Sequence, residues 1–312
     1  MIQKPTSPIQ ELLDIFRQTN RVKAGSLIIS VFGDSILPRG GKIWLGSLIK
    51  LLAPLQLNER LIRTTVFRLA KDEWLSNQSE GRRTNYQLTH SGWKRFEDAS
   101  RQIYAPGAPS WDKRWRLVMV TAELTPSVRD KLKNVFYWQG FGQMNANCFI
   151  HPSADLKASL DAISVRGMSD FVSQCMPLIA VNPLLDSSAN DSAIVRLAWN
   201  LDELRDSYLS FVKTYKKILE EIKKNKREKI DDETAFLIRT LLIHDFRRLL
   251  LRDPELPHVL LPKKWPGEAA RDLTKEIYQR LLEPSERHLN QHVLLANGKA
   301  PQASNILARR FK

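Results

Sequence analysis

Cysteine is scarce in this sequence, which has two thiols, Cys148 and Cys175, among 312 residues. Two cysteines are too few for a disulfide scaffold or for a four-ligand zinc site. The six histidines are scattered, and none has the spacing of a HExxH motif. The sequence also lacks a run of about 18 apolar residues, and it begins without the basic-then-apolar layout of a signal peptide. We therefore expect a cytoplasmic protein that has no membrane span and no metal site.

Positive charge, in contrast, is abundant. The chain has 48 Lys and Arg against 34 Asp and Glu, a formal net charge of +14. Residues 1–104 contain sixteen Lys and Arg and nine Asp and Glu, so half of the excess lies in one third of the chain. A basic balance concentrated in one region indicates a polyanionic partner, most often nucleic acid.

The first 104 residues have the element order of a winged helix-turn-helix. Three short segments with apolar residues at helical spacing come first, and Pro38, Gly40 and Gly41 interrupt them. Asn58 is a suitable N-cap for a further helix that runs to about Asp72. The stretches EWLSNQS and TNYQLT, joined by EGRR, then predict a β-hairpin, and a last helix follows. In such a domain the third helix enters the DNA major groove.

The predicted helix at 58–72 has two different faces. Ile62, Val66 and Leu69 form the apolar face on a helical wheel. The opposite face carries side chains that can contact bases or phosphates: Arg60, Arg63, Thr64, Arg68 and Lys71. A solvated cationic face is the alternative, but the neighbouring basic hairpin favours DNA contact. Phe67 is the exception on this face, and we expect it to pack under the wing rather than touch a thymine methyl group.

Further cations flank this helix in the sequence. Arg82 and Arg83 follow Gly81 at the hairpin tip, where they would reach phosphates or the minor groove. Arg39 and Lys42 lie in the loop before the next helical segment, and we expect them to contact the DNA backbone. Double-stranded DNA is therefore the partner predicted for the domain at residues 1–104.

A second domain is predicted at 105–190, after the linker APGAPSWD. A strand at 115–124 is followed by a helix that begins with Thr125 as N-cap and Pro126 at its first position. NANCFIHP then reads as a strand, ADLKASLDAIS as a helix, and SDFVSQCMPLI fits either. This order indicates a small ferredoxin-like sandwich.

Residues 191–296 read as an all-helical domain, and 297–312 read as a flexible tail. The fold class is therefore α+β and multidomain. The basic run KKNKREK, which starts at Lys223, is interpreted as a solvated helix end and loop, with a second nucleic-acid contact as the alternative.

Several of these motifs together resemble the PaaX family of transcriptional repressors. The N-terminal part contributes SLIISVFGDSILPRGGKIWLGSLIKLL and RTTVFRLAKDEWL, in that order. The most specific segment is HDFRRLLLRDPELPHVLLPKKWPGEAA at 244–270. The resemblance covers nearly the whole chain and implies a winged helix, a Cas2-like middle domain and a helical C-terminal domain. It also implies a homodimer that binds operator DNA, represses phenylacetate-degradation genes and is released by phenylacetyl-CoA, with no other cofactor.

Phenylacetyl-CoA requires cations for its phosphates and an apolar slot for its phenyl ring. Two segments offer both kinds of side chain, and each has a structural alternative, because a Trp after a linker often docks domains and Leu-Leu-Pro often ends a helix. The residues that we predict to contact the effector are Trp111, Arg114, Trp115 and Arg116 in SWDKRWR, and His258, Lys263, Lys264 and Trp265 in PHVLLPKKWPG.

Two enzymatic alternatives have weaker support in the sequence. A Cas2-like nuclease would need carboxylates at the end of the first strand, and Glu123 stands there alone. A thioester-cleaving enzyme would need a nucleophile with a base, but Cys148 and His151 are three positions apart on a strand and so face opposite sides. A third alternative keeps the winged-helix repressor and changes its effector. We expect a regulator rather than an enzyme.

Overall fold

The computed structural model of the chain describes residues 7–19, 24–105, 107, 109–182, 190–224 and 230–312. The chain divides into two compact units. Unit 1 comprises Met1–Pro106, Ser210–Arg247 and Ala269–Lys312, and unit 2 comprises Gly107–Leu209 and Arg248–Glu268. These units divide the predicted helical domain between them. Part of the KKNKREK run, residues 225–229, lies outside the described residues.

The N-terminal part of unit 1 combines helices with a small sheet. Its elements are α1 (Pro8–Thr19), α2 (Ala24–Val31), β1 (Lys42–Trp44), α3 (Leu45–Leu52), α4 (Glu59–Lys71), β2 (Leu75–Glu80), β3 (Arg83–Leu88) and α5 (His90–Ile103). The three antiparallel strands lie in the order β1-β3-β2. Helix α2 continues into a π-helical turn at Phe32–Ile36. Sequence periodicity did not predict β1, whose three residues are too few to show an alternating pattern.

Unit 2 contains a four-stranded antiparallel sheet with two helices on one face. The elements are β4 (Trp115–Val120), α6 (Pro126–Tyr137), β5 (Gly142–Asn145), β6 (Cys148–His151), α7 (Leu156–Val165), β7 (Cys175–Ala180) and α8 (Asp191–Ala198). Their strands lie in the order β5-β6-β4-β7. Val118, Phe149 and Cys175 of the sheet pack against Phe136 of α6 and Ile163 of α7. This is the β-α-β-β-α-β order of the predicted ferredoxin-like fold, although β5 was not among the predicted strands.

Three long helices complete the chain: α9 (Asp202–Lys224), α10 (Asp232–Leu250) and α11 (Pro266–His292). No helix in the described ranges has the length and apolar character needed to cross a membrane. Within unit 1, Arg239 of α10 is fully buried and binds Asp34 of the π-helical turn, with 2.9 Å between Nε and Oδ2. Tyr278 of α11 and Tyr104 after α5 both donate hydroxyl hydrogen bonds to Asp34 Oδ1. The N-terminal region and the last helices therefore share a core with a buried ionic centre.

The predicted flexible tail at 297–312 is instead packed into unit 1. Arg310 donates to Asp34 Oδ1 at 2.7 Å and to the Gly33 carbonyl at 3.1 Å. The Phe311 ring is buried and contacts the rings of Tyr104 and Tyr278. The tail reads as polar in the sequence, but Arg310 and Phe311 anchor it to partners that are distant in the sequence.

Candidate nucleic-acid interface and effector segments

Helix α4 has the two faces that its sequence predicts. The Asn58 side chain accepts a hydrogen bond from the Leu61 amide at 2.8 Å and caps the first turn. Ile62, Val66 and Leu69 are buried in unit 1. Because these positions recur at helical spacing, the opposite face is left open to solvent.

The solvent face of α4 carries the predicted DNA-binding side chains, and all of them are exposed: Arg60, Arg63, Thr64, Arg68 and Lys71. Arg63 forms an ion pair with Glu59 at 2.6 Å, one turn earlier on the same face. Both partners are more than half exposed, so this pair is weak and a phosphate can replace the carboxylate. The Thr64 hydroxyl donates to the Arg60 carbonyl. The face offers four cations in three helical turns.

The β2–β3 hairpin presents Arg82 and Arg83 beside a tight turn. Gly81 adopts a positive φ of 59°, which favours glycine at this turn. Arg82 is exposed. Arg83 is exposed as well, but its Nη1 donates to the Ala296 carbonyl at 3.1 Å and its guanidinium lies 4.7 Å from the Trp44 ring centroid. These two contacts restrain the side chain.

Lys42 and Arg39, the two loop cations, have different surroundings. Lys42 is partly exposed on β1 and donates to Gln78 on β2 at 2.7 Å. Arg39 is buried, and its Nη2 binds Glu286 Oε2 at 2.5 Å and Asn290 Oδ1 at 2.9 Å, both on α11. A buried guanidinium with these partners cannot reach a phosphate, so the predicted DNA contact of Arg39 is wrong. Arg39 instead joins the loop to α11.

Phe67 also departs from its prediction. Its side chain is 68% exposed on the same face as the cations, and it does not pack under the wing. An exposed aromatic ring among cations is unusual on a soluble helix and is suited to apolar contact with a partner.

The two predicted effector segments both lie in unit 2 and contribute to one apolar cluster. Trp115, 2% exposed, forms the centre of this cluster with Ile150, Leu256 and Leu260. Trp111 packs against it, with its ring centroid 5.2 Å from that of Trp115. SWDKRWR and PHVLLPKKWPG therefore meet through their apolar side chains. Trp115 itself is a core residue, and its indole donates to Asp191 at 3.0 Å.

The charged side chains of the two segments differ in whether they are paired or exposed to solvent. Arg116 forms a two-pronged ion pair with Asp112, with distances of 2.6 and 2.8 Å. The hydrogen bond from Arg116 lowers the pKa of the Asp112 carboxyl to about 2. Arg114, His258, Lys263 and Lys264 are exposed, and Trp265 is half-buried against the ring of Tyr208. The two lysines are thus free to meet an anion.

Several residues that support these sites give no signal in the sequence. Trp199 packs beside Trp115 in unit 2, with ring centroids 6.3 Å apart. Asn85, fully buried on β3, accepts a hydrogen bond from the Ala296 amide at 2.8 Å. The spacing of an isolated Asn in a strand gives no sign of such a distant partner.

The surroundings of Cys148 do not activate its thiol as a nucleophile. Burial raises the pKa of the Cys148 thiol, whereas an activated cysteine has a lowered pKa. Burial also lowers the pKa of His151 to about 4, although a hydrogen bond to the Pro254 carbonyl opposes that shift. His151 Nδ1 accepts from the Ser153 amide at 3.0 Å. Among the described residues, no group of three or more His, Cys, Asp or Glu could hold a metal ion.

Comparison with known proteins covers almost all of these elements. Residues 23–92 match the family described as PaaX-like protein, 108–176 match the PaaX protein central Cas2-like domain, and 199–291 match the PaaX-like protein C-terminal domain. The chain is 36% identical over 290 residues to the transcriptional repressor PaaX of Escherichia coli K12, which covers 93% of this chain and 90% of that protein.

A solved structure of an uncharacterized protein from Mycobacterium tuberculosis is also similar. It is 19% identical, with a TM-score of 0.49, over 77% of this chain and 88% of that one.

Proposed function

The chain belongs to the PaaX family, and on this premise we propose that it is a transcriptional repressor that binds operator DNA through an N-terminal winged helix-turn-helix. The observation that carries the proposal is the exposed cationic face of α4 beside the exposed hairpin arginines. In this assignment α4 enters the major groove, and β2 and β3 form the wing. The protein is a regulator and not an enzyme.

The base-reading and phosphate-binding roles divide along these elements. Arg60, Arg63, Thr64 and Arg68 face the groove, where Arg pairs with guanine O6 and N7. Lys42, Lys71, Arg82 and Arg83 neutralise phosphates. A homodimer places two such surfaces on successive major grooves, so the operator is an inverted repeat.

The proposed effector is phenylacetyl-CoA, and the regulated genes are those of phenylacetate degradation. The exposed Lys263 and Lys264, with Arg114 and His258, are the groups proposed for the phosphates, and the tryptophans of the unit 2 cluster lie nearest the aryl group. The ligand weakens DNA binding only if it prefers a conformation that misplaces α4 or the wing. The second candidate function is the same repressor with another effector, which the exposed lysines would serve equally well.

The operator can be obtained by selecting duplexes from a random pool with the full-length protein. Fluorescence anisotropy of the selected duplex then measures binding, and phenylacetyl-CoA, phenylacetate and free CoA are added separately. We expect release by the thioester alone. Failure of every duplex to bind more tightly than random DNA would reject the repressor.

The effector residues can be tested in the same assay. K263E/K264E should raise the thioester concentration needed for half release by about tenfold, because each reversal removes a charge-assisted contact to a phosphate. The matched control is K131E/K133E, two exposed lysines of α6 in the same unit. Equal effects of the two double variants would reject the proposed phosphate contacts.

A further inference from the structure

Residues 293–311, here called the strap, follow α11 and contact the N-terminal part of unit 1, which carries the proposed DNA-binding surface. The Leu294 carbonyl accepts from the Trp44 amide at 2.9 Å, and the Leu294 amide donates to Ser47 Oγ at 3.1 Å. Trp44 lies on β1, an edge strand of the three-stranded sheet. The strap therefore covers an edge that would otherwise be open to solvent.

The strap also reaches the centre of that sheet. The Ala296 amide donates to Asn85 Oδ1 at 2.8 Å, and Asn85 Nδ2 donates to Glu80 on β2 at 3.1 Å. The Ala296 carbonyl accepts from Arg83 at 3.1 Å. A single residue of the strap, Ala296, thus binds the middle of the hairpin through its amide and a cation near the hairpin tip through its carbonyl.

The C-terminal end of the strap binds the segment that follows α2. The Ser304 amide donates to the Pro38 carbonyl at 2.8 Å, and Arg310 binds Asp34 in the turn that continues α2. Helix α2 packs against α4. The strap therefore contacts both the hairpin and the segment after α2, the helix that packs against α4.

From these contacts we propose that the strap is a positioning element of the DNA-binding surface, which acts by holding the hairpin and the Arg83 guanidinium in the pose that meets a phosphate. An exposed arginine loses rotamer freedom when it binds, and an arginine that is already held loses less. Helix α11 leads directly into the strap, and its Glu286 binds Arg39 in the loop before β1. The inference rests on the proposed repressor function.

A double-mutant cycle on the selected duplex tests this role. Arg83→Ala and Asn85→Ala should each weaken binding about tenfold, and the double variant should be no weaker than either one, because both act through the Arg83 guanidinium. Each variant should also reduce the slope of log K against log salt by about 0.9, the value for one phosphate contact. The control is Asn297→Ala, an exposed strap residue that accepts a hydrogen bond from the Lys299 amide within the strap.

Additive losses in the cycle, or an unchanged salt slope for Asn85→Ala, would overturn the positioning role and leave the repressor function intact. Hydrogen exchange on the wild-type chain provides a second measurement in case Asn85→Ala fails to fold. We expect the amides of Trp44 and Ala296 to exchange more slowly when the duplex is bound. Protection of the hairpin without protection of these amides would also reject the proposal, whereas absence of any specific duplex binding would reject the repressor itself.

Discussion

Arg310 and Asp34, which are 276 positions apart in the sequence, form a buried ion pair with 2.7 Å between Nη1 and Oδ1. Burial alone would raise the pKa of Asp34, but the charges of Arg239 and Arg310 and two tyrosine hydrogen bonds outweigh it and hold this pKa below its ordinary value. The carboxylate is therefore ionised in the folded protein and keeps the strap, α10 and the turn after α2 together.

Removing one partner of this pair should be strongly destabilising. Arg310→Met should lower the free energy of unfolding by about 3 kcal/mol, because it leaves part of a buried charge uncompensated while Arg239 still contacts Asp34. Urea unfolding followed by circular dichroism measures the change. Arg101→Met is the control, since its pair with Asp98 is exposed and 3.8 Å long and should contribute less than about 0.5 kcal/mol. If the two variants lose the same free energy of unfolding, the buried pair stabilises the fold no more than the exposed pair does.

Arg39 should behave as a structural residue and Lys71 as a DNA contact. Arg39→Met should lower the free energy of unfolding by about 3 kcal/mol, because Glu286 loses a buried partner. Lys71→Ala should leave stability within about 0.5 kcal/mol and reduce the salt slope of duplex binding by about 0.9. If Arg39→Met is as stable as the wild type and reduces the salt slope of duplex binding, Arg39 contacts the DNA backbone, as the sequence predicted.

Phe67 and Leu69 give a second contrast, on one helix. Phe67→Ala should change the free energy of unfolding by no more than about 0.5 kcal/mol, because the ring is exposed. It should weaken duplex binding by about 1 kcal/mol, because the exposed ring is suited to contact a thymine methyl group. Leu69→Ala should cost about 2–5 kcal/mol of stability, since its side chain is buried. Chemical denaturation and anisotropy separate the two effects, and a large stability loss for Phe67→Ala would contradict the exposed ring.

His151 should make the stability of unit 2 depend on pH. Its pKa is about 4 in the folded protein and about 6.5 when unfolded, so only the unfolded chain takes up a proton between these values. The free energy of unfolding is therefore highest above about pH 6.5. It falls by up to about 3 kcal/mol as the pH decreases towards 4. His151→Gln should flatten this part of the profile. Identical profiles for wild type and His151→Gln would contradict the assignment.

The sequence predicted what depends on local periodicity. The buried stripe of α4, its Asn58 cap and the hairpin turn at Gly81 all follow from residues within a few positions of one another. Arg39 and the tail could not be predicted in this way. Their partners, Glu286 and Asp34, are more than 200 positions away, and nothing in a cationic side chain distinguishes a buried ion pair from a phosphate contact.

The role of the effector segments also could not be predicted from the sequence alone. Tryptophans beside cations suggested a ligand slot, and the structure does bring the two segments together. However, Trp115 lies in the core of the cluster, where an aromatic residue stabilises the fold whether or not a ligand binds. Sequence composition alone does not separate these two roles.

The repressor function and its effector are tested together by the anisotropy of a selected inverted-repeat duplex at increasing phenylacetyl-CoA concentration. We predict tight, salt-sensitive binding that the thioester abolishes and that phenylacetate and free CoA leave unchanged. Tight binding that none of the three compounds alters would contradict the proposed effector, and binding no tighter than to random DNA would contradict the repressor.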